Sequence, residues 1–184
     1  MTISAIVCTD ANGGIGKDNT IPWNNKEDMA FFKHMTTGKI VIMGSKTYWS
    51  LPDKFRPLPD RFSVVYTSNT PAIIQDAYIR RTSGNVIAIG DSARPAQIND
   101  DTENILHGLA LSVDEYGQYK TDEVFIIGGA SIYKQFMHII DRLYINVLPE
   151  AYECDTFFPP LSQGLVLNDS VKYDTFISHT YLRE

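Results

Sequence analysis

The sequence predicts an α/β fold: a single domain with a mixed, mostly parallel central sheet flanked by helices and closed by a C-terminal antiparallel hairpin. Three observations predict it. Short apolar runs rich in Ile and Val occupy residues 3–8, 39–43, 62–66, 86–90, 123–127 and 142–148, as expected of strands buried on both faces. Two of them, 39–43 and 123–127, run into glycine and then a helical pattern, the order that joins parallel strands. Residues 171–174 and 176–182 read as a hairpin at the end of the sequence.

A chain of 184 residues suffices for one domain with a real core and is short for two. The net charge of −6 and pI near 5.2 argue against a nucleic-acid-binding surface, which relies on clustered Lys and Arg. No signal segment or membrane span is expected, so the protein reads as soluble and cytoplasmic. Cys8 and Cys154 are too few for a disulfide framework, and His34, His107, His138 and His179 lack ligand spacing, so no metal is expected.

Taken in order, the first strand ends in the flexible run Thr9-Asp10-Ala11-Asn12-Gly13-Gly14. Cys8 has no basic sequence neighbour to activate it and reads as packing rather than as a nucleophile. Pro22 marks an extended segment, and Asn25 followed by Glu27 and Asp28 reads as an N-cap with an acidic first turn. At a period of 3.6 residues, Asp28, Phe31, Phe32 and Met35 share one helix face, while Lys26, Glu27, Lys33 and His34 fall mostly on the others. A carboxylate among apolar side chains either caps free backbone N–H groups or meets a cationic or donor-rich ligand; spacing leaves both readings open. Trp23 adds an aromatic wall just before the helix, and Gly16 with Asn19 suggests a mobile loop leading into it. A lone acid beside aromatic surface suits a flat, nitrogen-rich heterocycle.

Gly38 ends that helix. Beyond the strand at 39–43, Gly44-Ser45-Lys46-Thr47 gathers free backbone N–H groups and an ammonium, which fits anion binding as well as an ordinary strand-to-helix turn. Arg56-Pro57-Leu58-Pro59-Asp60-Arg61 is a proline-fixed loop. Thr67 and Ser68 follow the strand at 62–66, on the carboxyl edge where open α/β sheets bind ligands. Between residues 69 and 106 the pattern is weaker: 86–90 reads as a strand with a glycine end, and 94–102 as polar loop or short helix. The strand at 123–127 enters Gly128-Gly129-Ala130-Ser131 before a helix with Ile132, Tyr133, Phe136, Met137 and Ile140 on its apolar side. Paired glycines let the backbone approach a ligand, and a helix start there favours a pyrophosphate. A long polar and aromatic loop, 149–160, precedes the hairpin.

Several of these motifs, in this order, resemble one family. Ile15-Gly16, Asn19, Pro22-Trp23-Asn24, Asp28 and Phe31-Phe32-Lys33 look like the active-site loop and first helix of dihydrofolate reductase. The match continues through residues 41–48, 56–61, 126–133 and 155–159. Residues 2–68 and 111–184 can be laid on the family pattern, while 69–110 form an enlarged region on its adenosine-binding side.

The resemblance implies hydride transfer from NADPH to dihydrofolate, with antifolate inhibitors as further ligands and a monomeric protein. By resemblance Asp28, Trp23 and Tyr133 are the catalytic group. Ile6, Val7, Cys8, Phe32, Leu51, Arg61, Ile127 and Asn146 join Asp28 around the substrate, with Arg61 pairing the carboxylate of its glutamate tail. Ile15, Gly16, Asn19, Gly44, Ser45, Lys46, Thr47, Thr67, Ser68, Gly128, Gly129, Ala130, Ser131, Ile132 and Tyr133 hold the cofactor. The family also implies a cis peptide at Gly128-Gly129 and an Asp155 that bonds the loop around Gly16. Asn146 stands where the family usually has Thr, and Ser45 and Ser131 where many members carry Arg. Two rivals share the fold: a reductase of a pyrimidine ribityl substrate, and a nucleotide-binding component without turnover.

Overall fold

The computed structural model describes residues 1–79, 85–90 and 120–184. In chain order its strands are β1 Thr2–Thr9, β2 Gly14–Gly16, β3 Lys39–Gly44, β4 Phe62–Tyr66, β5 Val86–Ile89, β6 Lys120–Gly128, β7 Arg142–Val147, β8 Thr156–Phe157, β9 Leu165–Lys172 and β10 Ile177–Arg183. Its helices are α1 Lys26–Thr36, α2 Ser45–Ser50, α3 Thr70–Ile79 and α4 Ala130–Phe136. Eight strands form one sheet in the order β5-β4-β3-β6-β1-β7-β10-β9, parallel from β5 to β7, with β10 and β9 antiparallel at the edge. This is the expected α/β class, with a mostly parallel sheet and a terminal hairpin. Among the described residues no helix is long and apolar enough to cross a membrane.

Alternation along the buried strands divides the core into two layers. Ile3, Ala5 and Val7 of β1, with Val124 and Ile126 of β6, face the layer that holds Ile132, Tyr133 and Phe136 of α4. Ile6 and Phe125 face the opposite layer, where Phe31, Phe32 and Met35 of α1 and Ile73 and Ala77 of α3 pack. The apolar stripe read on α1 therefore lies on the sheet, and Asp28 is carried with it.

The β1–β6 ladder stops at Ala5↔Ile126, while β1 stays paired with β7 out to Thr9↔Val147 and β6 with β3 out to Met43↔Gly128. The sheet thus opens between the carboxyl ends of two neighbouring parallel strands, the place where open α/β sheets bind ligands.

Some boundaries differ from the sequence reading. β9 begins at Leu165 rather than 171, because it is an edge strand exposed on both faces after its first residue and carries no alternation. α4 ends at Phe136, and Met137 and Ile140 are buried in the segment after it rather than on the helix. The loop at 149–160 contains β8, which pairs with β2 as a separate two-stranded ribbon. The polar stretch 94–102, and Arg80 and Arg81, lie outside the described residues.

Candidate active site

Asn25 has extended backbone and its Oδ1 accepts from the Asp28 backbone N–H at 2.9 Å, so Asn25 is the cap and Asp28 is capped. The Asp28 side chain is free for another role. Its Oδ1 accepts from Asn146 Nδ2 at 2.7 Å, across 118 positions of sequence. Register places Asn146 of β7 opposite Cys8 of β1, and the Cys8 thiol interacts with the same carboxylate. Burial raises the Asp28 pKa above its ordinary value, and the bonds from Asn146 and Cys8 offset part of that rise. For Cys8, burial and then the Asp28 charge push the thiol far up, which keeps it neutral and unreactive. Asn146 is fully buried, and its Oδ1 finds no donor among the described residues.

Neutral donors hold this carboxylate. Trp23 lies within the influence of Cys8, and its ring is 5.3 Å from that of Tyr152. Ile6, Val7, Phe32, Leu51 and Ile127 are buried or half-buried, and all but Val7 belong to the core layer on the Asp28 side of the sheet. The Val7 side chain points to the other layer.

Tyr133 also belongs to that other layer. Its hydroxyl donates to the Ile6 carbonyl at 2.7 Å, where β1 has left β6, and its ring meets Phe158 at 5.0 Å. Burial above all pushes the phenol far up, so the group is a fixed neutral donor. Ile15 packs on the same side of the opening.

The two glycine junctions adjoin. A Cβ on Gly44 would lie 3.1 Å from Ile132 Cγ1, and one on Gly129 would lie 3.4 Å from Thr47 Oγ1. The peptide Gly128-Gly129 is cis, as the family resemblance implied, and Gly128 has a φ of +114°, which side-chain-bearing residues rarely adopt. Ser45, Thr47 and Ala130 are half-buried, Lys46, Ser68 and Ser131 exposed, and Thr67 buried with its hydroxyl taken by the Asn69 N–H. A close-packed glycine edge beside an opening in the sheet is a cradle for a dinucleotide.

Arg61 is 4% exposed, yet among the described residues no carboxylate forms an ion pair with it. Its Nε donates to the Pro59 carbonyl at 2.8 Å, its Nη1 to Thr36 Oγ1 at 3.1 Å, and its guanidinium lies 6.0 Å from the Phe32 ring. Burial lowers its pKa, although a guanidinium stays charged. A buried cation with spare donors fits a ligand carboxylate.

Over these groups the loop is fastened at several points. Asp155 accepts from the Asp18 N–H at 2.9 Å through its carboxylate and donates its own N–H to the Gly16 carbonyl at 3.0 Å, which is the contact the resemblance implied. Asn19 is exposed beside it, in a left-handed turn. Two fastenings escaped the sequence reading. Asp10 is buried and accepts from the N–H groups of Asn12, Gly14 and Tyr152; burial raises its pKa, and those backbone donors lower it by more. The Asp-x-Asn-Gly-Gly pattern was the available signal, since such runs form side-chain-closed turns. At the start of α1, Glu27 accepts from the Thr175 N–H at 2.8 Å and its hydroxyl at 2.7 Å, and Asn25 Nδ2 donates to the same hydroxyl. No local pattern could have announced that contact. Cavities of about 270 and 420 Å³ flank this latch, lined by Asn24, Asn25, Asp174 and Thr175, and Asp28 lines neither.

A half-buried carboxylate on an apolar helix face, a glycine-lined edge and an opening in the sheet fit an α/β oxidoreductase that brings a dinucleotide to a flat substrate. The family model described as dihydrofolate reductase matches residues 2–99 and 92–174. Dihydrofolate reductase of Aedes albopictus is 31% identical over 177 residues, covering 90% of this chain and 84% of the relative. Those of Haemophilus influenzae (33%; 88% and 81%) and Bacillus subtilis (32%; 88% and 78%) are similar. The chain belongs to the dihydrofolate reductase family. It is an NADPH-dependent oxidoreductase that reduces 7,8-dihydrofolate to 5,6,7,8-tetrahydrofolate, a step supporting one-carbon metabolism.

Proposed function

We propose the following division of labour for that reaction. Asp28 accepts the amino group and ring N–H of the pterin and raises the basicity of its imine nitrogen, which takes its proton through water. Trp23 closes the wall beside it, Ile6, Cys8, Phe32, Leu51 and Ile127 shape the slot, and Asn146 orients the carboxylate. Arg61 receives the tail carboxylate. Tyr133, through the Ile6 carbonyl, fixes the edge of the opening rather than exchanging protons.

The residues present fit the cofactor. Gly128, Gly129, Ala130, Ser131 and Ile132 would hold the pyrophosphate, Gly44, Ser45, Lys46, Thr47, Thr67 and Ser68 the adenosine side, and Ile15, Gly16 and Asn19 the nicotinamide end. When bound, NADPH supplies the hydride. The closed loop excludes water and aligns the two rings. The region 69–110 belongs to the adenosine side of a single domain, the protein works as a cytoplasmic monomer, and antifolates compete at Asp28.

One observation carries the reading: a half-buried carboxylate on an apolar helix face, held among the described residues by neutral donors alone, next to an opening in the sheet. The test is to mix purified protein with NADPH and dihydrofolate and follow the cofactor's near-ultraviolet absorbance. Loss no faster than in the protein-free control would remove the reading.

A further inference from the structure

The Asn146 carboxamide divides its two ends. Nδ2 faces Asp28 at 2.7 Å, and Oδ1 is buried without a donor. A buried acceptor left unmade is among the costlier polar arrangements, so the neighbours able to satisfy it matter. Register supplies one. Ser178 of β10 is the cross-strand partner of Asn146, and directly opposed residues project to the same face with Cβ atoms roughly 4.5–5.5 Å apart. Ser178 is 4% exposed, and among the described residues its hydroxyl has no hydrogen-bond partner. Register thus sets a hydroxyl on the same face as the open acceptor.

We propose that Ser178 is a positioning residue: its hydroxyl, directly or through one bridging water, donates to Asn146 Oδ1 and so locks the carboxamide with its N–H toward Asp28. This rests on the assignment of Asp28 as the pterin-holding group. The lock matters because an amide can turn over. With Nδ2 inward it stabilises the ionised carboxylate, and with Oδ1 inward it would repel the charge and favour the protonated acid. A threonine hydroxyl in place of Asn146 could rotate to serve either form and would need no lock. The titratable groups that feel Asp28 are the Cys8 thiol of β1 and the Tyr133 phenol of α4, both held neutral; Glu27 on α1 is turned to Thr175.

The experiment compares Ser178→Ala, and the isosteric pair Ser178→Thr and Ser178→Val, in the parent and in an Asn146→Thr background. The readouts are melting temperature and the pH dependence of single-turnover hydride transfer with NADPH and dihydrofolate. Ser178→Ala and Ser178→Val are expected to lower kcat/KM about three- to tenfold, the weight of one hydrogen bond, and to move the apparent pKa of the profile upward. Ser178→Thr restores both, and the effect vanishes beside Asn146→Thr. An unmoved pH profile in Ser178→Val relative to Ser178→Thr would overturn the proposal, as would an equal loss in both backgrounds. Failure of the underlying reading shows separately, as a parent-like pH profile in Asp28→Asn whatever Ser178 does.

Discussion

Replacing Asp28 with Asn removes the charge while keeping the geometry. The new side chain still offers an oxygen to Asn146 Nδ2, and the helix start is untouched because Asn25 caps the backbone N–H of residue 28. Stability follows from the sign of the pKa shift. A carboxyl whose folded pKa is raised is ionised at a cost to the fold at all pH above that value, and the cost disappears as pH falls below the unfolded value of about 3.9. Asp28→Asn should therefore keep or raise the melting temperature at pH 7 and gain nothing at pH 3. Turnover should move oppositely. Losing a charge-assisted grip of about 1.5–3 kcal/mol weakens pterin binding roughly 10- to 150-fold, and losing its help in protonation slows hydride transfer by about 10²–10⁴. The deficit should shrink as pH falls, because the imine is then protonated in solution. Single-turnover rates from about pH 4.5 to 9 measure this. A variant whose pH–rate profile parallels the parent's, or whose melting point drops by several degrees with normal kinetics, would refute the argument.

Arg61→Leu should raise the KM for dihydrofolate roughly tenfold or more with kcat little changed, and leave a tail-less dihydropterin unaffected; steady-state kinetics with both substrates check it. Lys46, exposed on the first turn of α2, should favour NADPH over NADH through the 2′-phosphate. Its preference should weaken with salt and fall roughly tenfold in Lys46→Ala, read as the ratio of kcat/KM for the two cofactors. Gly14→Ala would set a Cβ 2.5 Å from Cys154 Sγ, so it should destabilise the β2–β8 ribbon by about 1–3 kcal/mol in thermal unfolding, and Cys154→Gly should restore part of it.

Strands buried on both faces were legible because their apolar runs have no other explanation: β1, β3, β4 and β6 all lie where Ile and Val cluster. The same logic fails at an edge. β9 carries Val166 and Leu167 outward beside Asn168 and Asp169, and only its pairing with β10 makes it a strand. β2 and β8 are held by backbone pairs between a glycine-rich turn and a two-residue segment, which leaves nothing for side-chain patterns to report. In the site, Asp28 was legible as a charge out of place on its helix, whereas Asn146 came only through resemblance. What joined them was not, since 118 positions separate them. The parting of β1 from β6 is a property of register, and no residue type marks where a ladder stops. Resemblance supplied the functional meaning of these places, and the structure adds the layer each faces: Tyr133 and Val7 lie across the sheet from Ile6 and Phe32.

A half-buried acid and a buried guanidinium form no ion pair among the described residues, and one helix spaces them. Asp28 sits in the first turn of α1 with neutral donors around it, and Thr36 at the end of α1 takes a guanidinium N–H of Arg61. At 1.5 Å rise per residue the two positions lie about 12 Å apart along the helix axis. A ligand with a donor-rich ring at one end and a carboxylate at the other satisfies both groups only when it spans that distance in one direction. Reversed, it would set its carboxylate against Asp28 and leave Arg61 facing N–H groups. The desolvation that folding leaves uncompensated at each end thus becomes orientation, which hydride transfer to one bond of one ring requires. On the proposed roles of Asp28 and Arg61, α1 carries the acid and also the spacing that decides which way the substrate lies.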